Sequence, residues 1–149
     1  MKVNECMCQD VCFIKPDCKV YDAARIMCEN HIGCIPVCDD NKKCVGILTD
    51  RDILLRTVAS NKDTKTTCVS DIMSTDVCTC GYEDDICSAE NTMAEYQIRR
   101  IPVVDEKNKL VGILTMGNLA QNDKKIGQQD VCTTIENICN CKGSIQNAQ

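Results

Sequence analysis

The chain has 149 residues, 44% of them hydrophobic, and a formal net charge of −5 from 17 basic and 22 acidic residues. This length allows one compact core, while the acidic balance argues against a broad nucleic-acid or anionic-membrane surface, which needs clustered Lys and Arg. No apolar run approaches the roughly 18 residues that span a bilayer. We therefore expect a cytoplasmic protein that has no nucleic-acid partner and no membrane partner.

The first predicted element is a short strand near residues 11–14, because Pro16 favours a turn directly after it. Apolar residues spaced three and four apart then predict an amphipathic helix over residues 20–30. Two apolar strands follow at residues 35–38 and 44–48, and the polar residues between them predict a hairpin turn.

A second helix is predicted to begin at Thr49 or Asp50 and to continue through Val58, since Thr and Asp are favoured at helix N-caps. Residues 55–68 are assigned to a largely polar linker, after which the same order of elements recurs. The C-terminal region, residues 121–149, is predicted to form a short helix and a tail.

An internal repeat organises this order of elements. A shift of 66 residues aligns residues 3–54 with residues 69–120 without a gap, and 19 of the 52 pairs are identical. Each half then reads as one βαββα repeat that cannot bury both faces of a small sheet alone. The prediction is a mixed α/β (α+β) fold of two repeats packed with pseudo-twofold symmetry, with two symmetric clefts between them.

The fifteen cysteines are unusual for a chain of this length. Only the pair Cys12 and Cys78 recurs at equivalent positions of both repeats, whereas an intrinsic disulfide or metal framework would recur more often. Because free Cys behaves as a small buried hydrophobe, we interpret most of these residues as core residues in a reducing compartment. Three C-x-C pairs leave a thiol-based metal or redox sensor open as an alternative: Cys6/Cys8, Cys78/Cys80 and Cys139/Cys141.

The segments Gly33–Asp39 and Val45–Asp52, with their counterparts in the second half, resemble the cystathionine-β-synthase (CBS) domain. The resemblance covers residues 3–120, and two such domains in tandem resemble a CBS pair, also called a Bateman module. It implies that an adenosine-type ligand, namely AMP, ADP, ATP or S-adenosylmethionine, binds between the repeats as a regulatory ligand. It also implies a homodimer and a regulated protein partner that the sequence does not identify.

Thr49 and Asp52 are the first candidate site residues, because a hydroxyl and a carboxylate at a strand-to-helix turn can be aimed at one point. A carboxylate can accept two hydrogen bonds from ribose hydroxyls, and the CBS resemblance assigns this role to Asp52. The alternative is purely structural, in which Thr49 is an N-cap and Asp52 a first-turn carboxylate. A module without a ligand, used only for structure or dimerisation, therefore stays open.

The CBS resemblance adds further candidates, which would face Thr49 and Asp52 across the cleft: Thr75, Val77, Ile98, Arg99 and Arg100. The two arginines could make forked contacts with phosphate. At the equivalent turn of the second repeat stand Thr115 and Asn118, and an amide accepts a hydrogen bond without the strength of a charge. We therefore expect two unequal clefts, the stronger of which contains Asp52.

No set of catalytic residues is visible in the sequence. His31 is the only histidine, and no motif of a hydrolase, a kinase or a phosphate-binding loop is present. We expect His31 to lie on the surface at a helix end. The sequence thus predicts a non-enzymatic module with no required cofactor and no metal site.

Overall fold

The computed structural model describes residues 1–140, and the predicted tail from residue 141 onward lies outside the described residues. Helices and strands alternate in a mixed α+β architecture. The strands are β1 (Cys34–Cys38), β2 (Cys44–Thr49), β3 (Cys80–Gly81), β4 (Arg100–Val104) and β5 (Leu110–Thr115). The α-helices are α1 (Val20–Asn30), α2 (Asp50–Ile53), α3 (Ile86–Glu95), α4 (Met116–Gln121), α5 (Asp123–Ile126) and α6 (Gln128–Cys139).

The α-helix α2 continues directly into a π-helical segment, Leu54–Val58, and short 3-10 helices form at Val3–Glu5 and Val69–Asp71. The predicted strand near residues 11–14 is shorter than expected, because it is reduced to a single parallel bridge between Ile14 and Val37. No helix within residues 1–140 is long and apolar enough to cross a membrane.

The described chain forms two compact units whose limits differ from those of the sequence repeats. The first unit contains Asp10–Val77 and Glu106–Leu110, and the second contains Met1–Gln9, Cys78–Asp105 and residues 111–140. The leading segment of each sequence repeat therefore packs in the unit built mainly from the other repeat. Each compact unit thus combines most of one sequence repeat with the leading segment of the other.

In the first unit, β1 and β2 pair antiparallel, and Cys34 faces Thr49 across the ladder. All five residues of β1 are buried, as the continuous apolar run predicted. Removing these apolar side chains from water is the main force that holds the unit together. The core of this unit consists of Ile14, Val20, Ala23, Met27, Ile35, Val37, Leu48, Val69 and Ile72.

In the second unit, the sheet has the order β3-β4-β5, and β3 runs parallel to β4. The helix α6 packs against α3 with the buried face Val131, Thr134 and Ile138. The predicted C-terminal helix is thus present, although its 12 residues make it longer than expected. The core of this unit includes Val3, Ile86, Met93, Ile101, Val103, Leu114 and Leu119.

The leading segments attach to the middle of the β2 and β5 strands. Ser74 and Ile47 exchange two backbone hydrogen bonds of 3.0 and 2.9 Å, and Cys8 and Ile113 do the same at 2.9 Å each. Such a close approach of backbones favours glycine: a Cβ atom at Gly112 would lie 2.8 Å from the Cys8 carbonyl oxygen. The glycine in the repeated Val-Gly-Ile-Leu-Thr sequence therefore makes room for the leading segment.

The interpretation of most cysteines as core residues is wrong. Of the fourteen described cysteines, four are buried, namely Cys6, Cys34, Cys38 and Cys80. Five are exposed, and the others are half-buried. The reason is that several occupy the solvent faces of helices, such as Cys28 on α1 and Cys87 on α3, where burial does not select an apolar residue. His31, by contrast, is exposed at the left-handed C-cap of α1, as predicted.

Candidate functional site

Thr49 and Asp52 form a reciprocal pair of hydrogen bonds where β2 meets α2. The Asp52 backbone N–H donates to Thr49 Oγ1 at 3.1 Å, and the Thr49 backbone N–H donates to Asp52 Oδ2 at 3.0 Å. This capping box satisfies backbone donors that the start of a helix leaves free. The structural role that the sequence left open for these two residues is therefore present.

The capping box does not exhaust the Asp52 carboxylate. Its side chain is 15% exposed, and Oδ1 lies 3.6 Å from the Arg56 Nη2 atom in an ion pair. A carboxylate offers about four acceptor positions on its two oxygens, and the Thr49 N–H occupies one of them. Asp52 can therefore accept hydrogen bonds from a ligand without giving up its role at the helix start.

Arg56 is a residue of this turn that the sequence analysis missed. Its Nη1 donates to the Ile72 carbonyl at 2.7 Å and lies 3.4 Å from Ser74 Oγ, while Nη2 faces Asp52. The side chain thus links the turn to the leading segment of the second repeat. The available signal was the spacing of four residues between an acidic and a basic side chain, which places both on one helix face.

Thr75 and Val77 lie in the same unit as Thr49 and Asp52. They lie one and three residues after Ser74, which is hydrogen-bonded to Ile47 in β2. Thr75 is exposed and Val77 is half-buried. The first unit therefore contains four of the nine predicted site residues, contributed by both sequence repeats.

The equivalent turn of the second unit has less capacity to accept hydrogen bonds. Asn118 Oδ1 accepts from the Thr115 backbone N–H at 2.9 Å and from the Thr115 hydroxyl at 2.7 Å. The Asn118 backbone N–H donates to Thr115 Oγ1 at 3.2 Å. Because an amide oxygen has two lone pairs, these two bonds occupy it fully. The difference between the two turns is thus larger than the exchange of Asp for Asn alone implies.

Ile98, Arg99 and Arg100 belong to the second unit, like Thr115 and Asn118. The Arg99 carbonyl accepts a hydrogen bond of 3.1 Å from the backbone N–H of Met116, at the start of α4. The side chain of Arg99 is exposed, whereas those of Ile98 and Arg100 are half-buried. Their combination with Asp52 across a cleft stays a prediction.

A separate cavity of about 220 Å³ opens between α3 and α6 and contains none of the predicted site residues. Glu90, with 4% of its surface exposed, lines it and accepts a hydrogen bond of 3.5 Å from the Thr134 hydroxyl. Burial raises the pKa of the Glu90 carboxyl. The hydrogen bond from Thr134 lowers this pKa, and the negative charge of nearby Asp130 raises it. Glu90 is thus a buried carboxyl on α3 of the second unit.

We expect Glu90→Gln to stabilise the protein at neutral pH. A carboxyl whose pKa is raised in the folded state contributes its full stability below its unfolded-state pKa, and this contribution is lost as pH rises through the folded pKa. Glutamine keeps a hydrogen-bonding group for Thr134 but has no charge. In thermal unfolding, Glu90→Gln should therefore gain melting temperature relative to the wild type as the pH rises from 4 to 7. A difference that is constant or falls with pH would contradict this.

Within residues 1–140, no group of three or more His, Cys, Asp and Glu side chains could hold a metal ion. In the two C-x-C pairs that lie wholly within residues 1–140, the two thiols differ in burial. Cys6 is buried while Cys8 is exposed, and Cys80 is buried while Cys78 is half-buried. Cys141 of the third pair lies outside the described residues.

A protein-family model for the CBS domain matches the chain twice, over residues 3–58 and residues 69–124. The two matches together span well over half of the chain. The chain belongs to the CBS domain family. It is a tandem CBS pair, as the resemblance of its two strand-to-helix segments implied.

Curated relatives of this CBS pair include the CBS domain-containing protein YhcV of Bacillus subtilis. The identity is 40% over 136 residues, which cover 91% of this chain and 94% of YhcV. Inosine-5'-monophosphate dehydrogenase of Methanocaldococcus jannaschii also matches, at 34% identity, but over only 24% of its own length. That match is thus to one region of a larger enzyme.

Solved structures with the same fold include CBSX2 in complex with AMP, at 32% identity and a TM-score of 0.72, covering 84% of this chain and 97% of that one. CBSX2 is from Arabidopsis thaliana. The CBS pair of MJ0100, in complex with 5'-methylthioadenosine and S-adenosyl-L-methionine, matches at 26% identity and a TM-score of 0.74. This match covers 85% of this chain and 98% of that one. Hypoxic Response Protein I of Mycobacterium tuberculosis, with two coordinated zinc ions, matches at 30% sequence identity and a TM-score of 0.75. This match covers 81% of this chain and 98% of that one.

Proposed function

We propose that this CBS pair is a non-catalytic regulatory module that binds an adenosine-type nucleotide. The family and the adenosine ligands of CBSX2 and of MJ0100 support the class of ligand. The observation that carries the proposal on this chain is the Asp52 carboxylate, which is held in place by Thr49 and Arg56 and still has acceptor positions free. AMP, ADP, ATP and S-adenosylmethionine are the candidate ligands.

In the proposed complex, Asp52 accepts hydrogen bonds from the ribose hydroxyls, and Thr49 contributes its hydroxyl at the same turn. The Thr49 and Arg56 contacts fix the carboxylate before the ligand arrives, so less conformational entropy is lost on binding. Thr75 and Val77 line the adenine. Arg99 and Arg100 contact phosphate, for which the guanidinium group is suited because it donates two parallel hydrogen bonds.

Thr115 and Asn118 form the weaker counterpart of this site. The Asn118 oxygen is already occupied by the backbone and the hydroxyl of Thr115. To donate a hydrogen bond to this oxygen, a ribose hydroxyl would therefore have to displace an existing one, with little net gain in free energy. We propose one strong site per chain, at Asp52.

The proposed regulation follows from binding. A nucleotide shifts the equilibrium between two arrangements of the module only if it binds them with different affinities, and a partner protein then recognises the favoured arrangement. We propose that the module acts as a homodimer in the cytoplasm. The apolar side chains of Leu54, Leu55 and Val58, which are 45–64% exposed on the π-helical segment, support a contact with a second copy.

Isothermal titration calorimetry tests the proposed function. Reduced, metal-free protein is titrated with AMP, ADP, ATP and S-adenosylmethionine in turn, and its folding is verified by circular dichroism. We expect at least one compound to bind with a stoichiometry near one per chain. Absence of heat from all four compounds in folded protein would refute the proposal and favour the structural module without a ligand.

A further inference from the structure

Cys38 and Cys44 face each other across the β1–β2 hairpin, at the end next to its turn. The Cys38 backbone N–H points away from β2 and donates to the Ile14 carbonyl at 2.9 Å. In the adjacent pair, Asp39 and Lys43, the Asp39 backbone N–H donates to the Lys43 carbonyl. Cys38 and Cys44 are therefore a non-hydrogen-bonded pair, the kind in which facing residues of antiparallel strands come closest. Their Cα separation in such a pair, about 4.5 Å, falls within the range that a disulfide spans.

The two thiols differ in environment. Cys38 is fully buried, while Cys44 is half-buried and its Sγ contacts the Gly46 carbonyl at 3.5 Å. The Cys38 thiol lies within hydrogen-bonding reach of the Cys44 sulfur, which lowers the pKa of Cys44 and raises that of Cys38, and burial raises the pKa of Cys38 further. A partly accessible thiol with a lowered pKa beside a second thiol is the arrangement typical of redox-active cysteines.

The fold does not require thiols at this position. The equivalent residues of the second repeat are Val104 and Leu110, both buried. Two buried aliphatic residues thus occupy the equivalent sequence positions, so the two cysteines are a property of the first repeat alone. This pair is also distinct from the three C-x-C pairs in the sequence.

We propose that Cys38 and Cys44 form a reversible redox site that reacts with hydrogen peroxide. The Cys44 thiolate attacks the peroxide, so that an S–O bond forms, the O–O bond breaks, and water leaves after protonation of the departing oxygen. Cys38 then loses its proton and attacks the resulting sulfenic acid. An S–S bond forms, the S–O bond breaks, and a second water leaves with that proton. Overall, two thiols and one peroxide give one disulfide and two waters, and a dithiol reductant reverses the change by exchange. This proposal is independent of the nucleotide site.

Peptide mapping tests the proposal on the full chain. Reduced protein is treated with one equivalent of hydrogen peroxide, free thiols are alkylated, and the protein is digested with trypsin without reduction. Trypsin places Cys44 alone in peptide 44–51 and Cys38 in peptide 26–42, together with Cys28 and Cys34. We expect these peptides to be joined with loss of two hydrogen atoms, with fragmentation placing the link at Cys38, and dithiothreitol to release them.

Two variants that borrow the residues of the second repeat provide matched controls. In Cys38→Val, Cys44 should be trapped as a sulfenic acid by dimedone, and no joined peptide should form. In Cys44→Leu, neither product should form at this hairpin. Circular dichroism verifies that both variants are folded. A link from Cys44 to Cys28, Cys34 or another peptide, or no oxidation of Cys44 while other thiols react, would overturn the proposal.

Discussion

Asp52→Ala is expected to raise the dissociation constant of the adenosine ligand at least about tenfold. A hydrogen bond to a charged group contributes about 1.5–3 kcal/mol, and about 1.4 kcal/mol corresponds to a factor of ten in affinity. The change removes the acceptor oxygens and leaves Arg56 without its ion-pair partner. Calorimetric titration of the variant beside the wild type measures the effect.

Asn118→Ala is the matched control for this change. It removes the same kind of capping box from the second unit, in which Thr115 and Asn118 exchange hydrogen bonds as Thr49 and Asp52 do. Both variants should therefore lose a similar free energy of unfolding, about 1 kcal/mol. Only Asp52→Ala should lose ligand affinity strongly. Equal losses of affinity in the two variants would mean that the capping boxes matter for stability alone.

Leu114→Ala is expected to lower the free energy of unfolding by about 2–5 kcal/mol, the cost of removing a fully buried leucine and leaving a cavity. Leu114 is 0% exposed and belongs to the core cluster of the second unit, which also contains Met93 and Ile101. Urea unfolding followed by circular dichroism measures the loss. The midpoint of unfolding of the variant should lie at a much lower urea concentration than that of the wild type.

Leu54→Ala removes the same atoms from a side chain that is 56% exposed. In the monomeric chain, surface substitutions of this kind change the free energy of unfolding by about 0.5 kcal/mol or less, so both variants are compared at a protein concentration low enough to dissociate the proposed homodimer. The contrast between the two leucines isolates the contribution of burial, since the chemical change is identical. Similar losses for Leu114→Ala and Leu54→Ala would contradict the placement of Leu114 in the core.

Local patterns predicted the regular elements well where burial acts on one face. The apolar spacing of residues 20–30 corresponds to α1, and the continuous apolar runs correspond to β1 and β2 with shifts of one residue. The predicted strand near residues 11–14 is reduced to one bridge at Ile14, because Cys38 and Pro36 supply its few hydrogen-bonding partners. Short strands of this kind have no periodicity long enough to set their limits.

The exchange of leading segments could not be seen in the sequence. Val3 and Val69 are identical in the repeat alignment, and each is fully buried in the core built mainly from the other repeat. A repeat pattern shows that both residues need an apolar environment but not which core provides it. The mutual packing of the repeats, the linker at residues 55–68 and the domain limits at 3–54 and 69–120 stay predictions.

The cysteines illustrate the limit of composition as a guide. Counting them suggested core residues, yet exposure depends on which helix face each one occupies, and Cys28 and Cys87 lie on solvent faces. The pairing of Cys38 with Cys44 depends on the register of one hairpin and its bulge. The turn from Thr49 to Asp52, by contrast, could be identified from the sequence because it consists of four consecutive residues.

The role of Asp52 as the ribose acceptor is tested most directly by comparing an adenosine ligand with and without its ribose hydroxyls. The tightest ligand among AMP, ADP, ATP and S-adenosylmethionine, and its 2',3'-dideoxy form, are titrated into the wild type and into Asp52→Ala. We expect loss of the hydroxyls to weaken binding to the wild type at least about tenfold, because hydrogen bonds to a carboxylate are lost. Binding to the Asp52→Ala variant should change little. Equal affinity of both ligands for the wild type would contradict the assignment of Asp52 as the ribose acceptor.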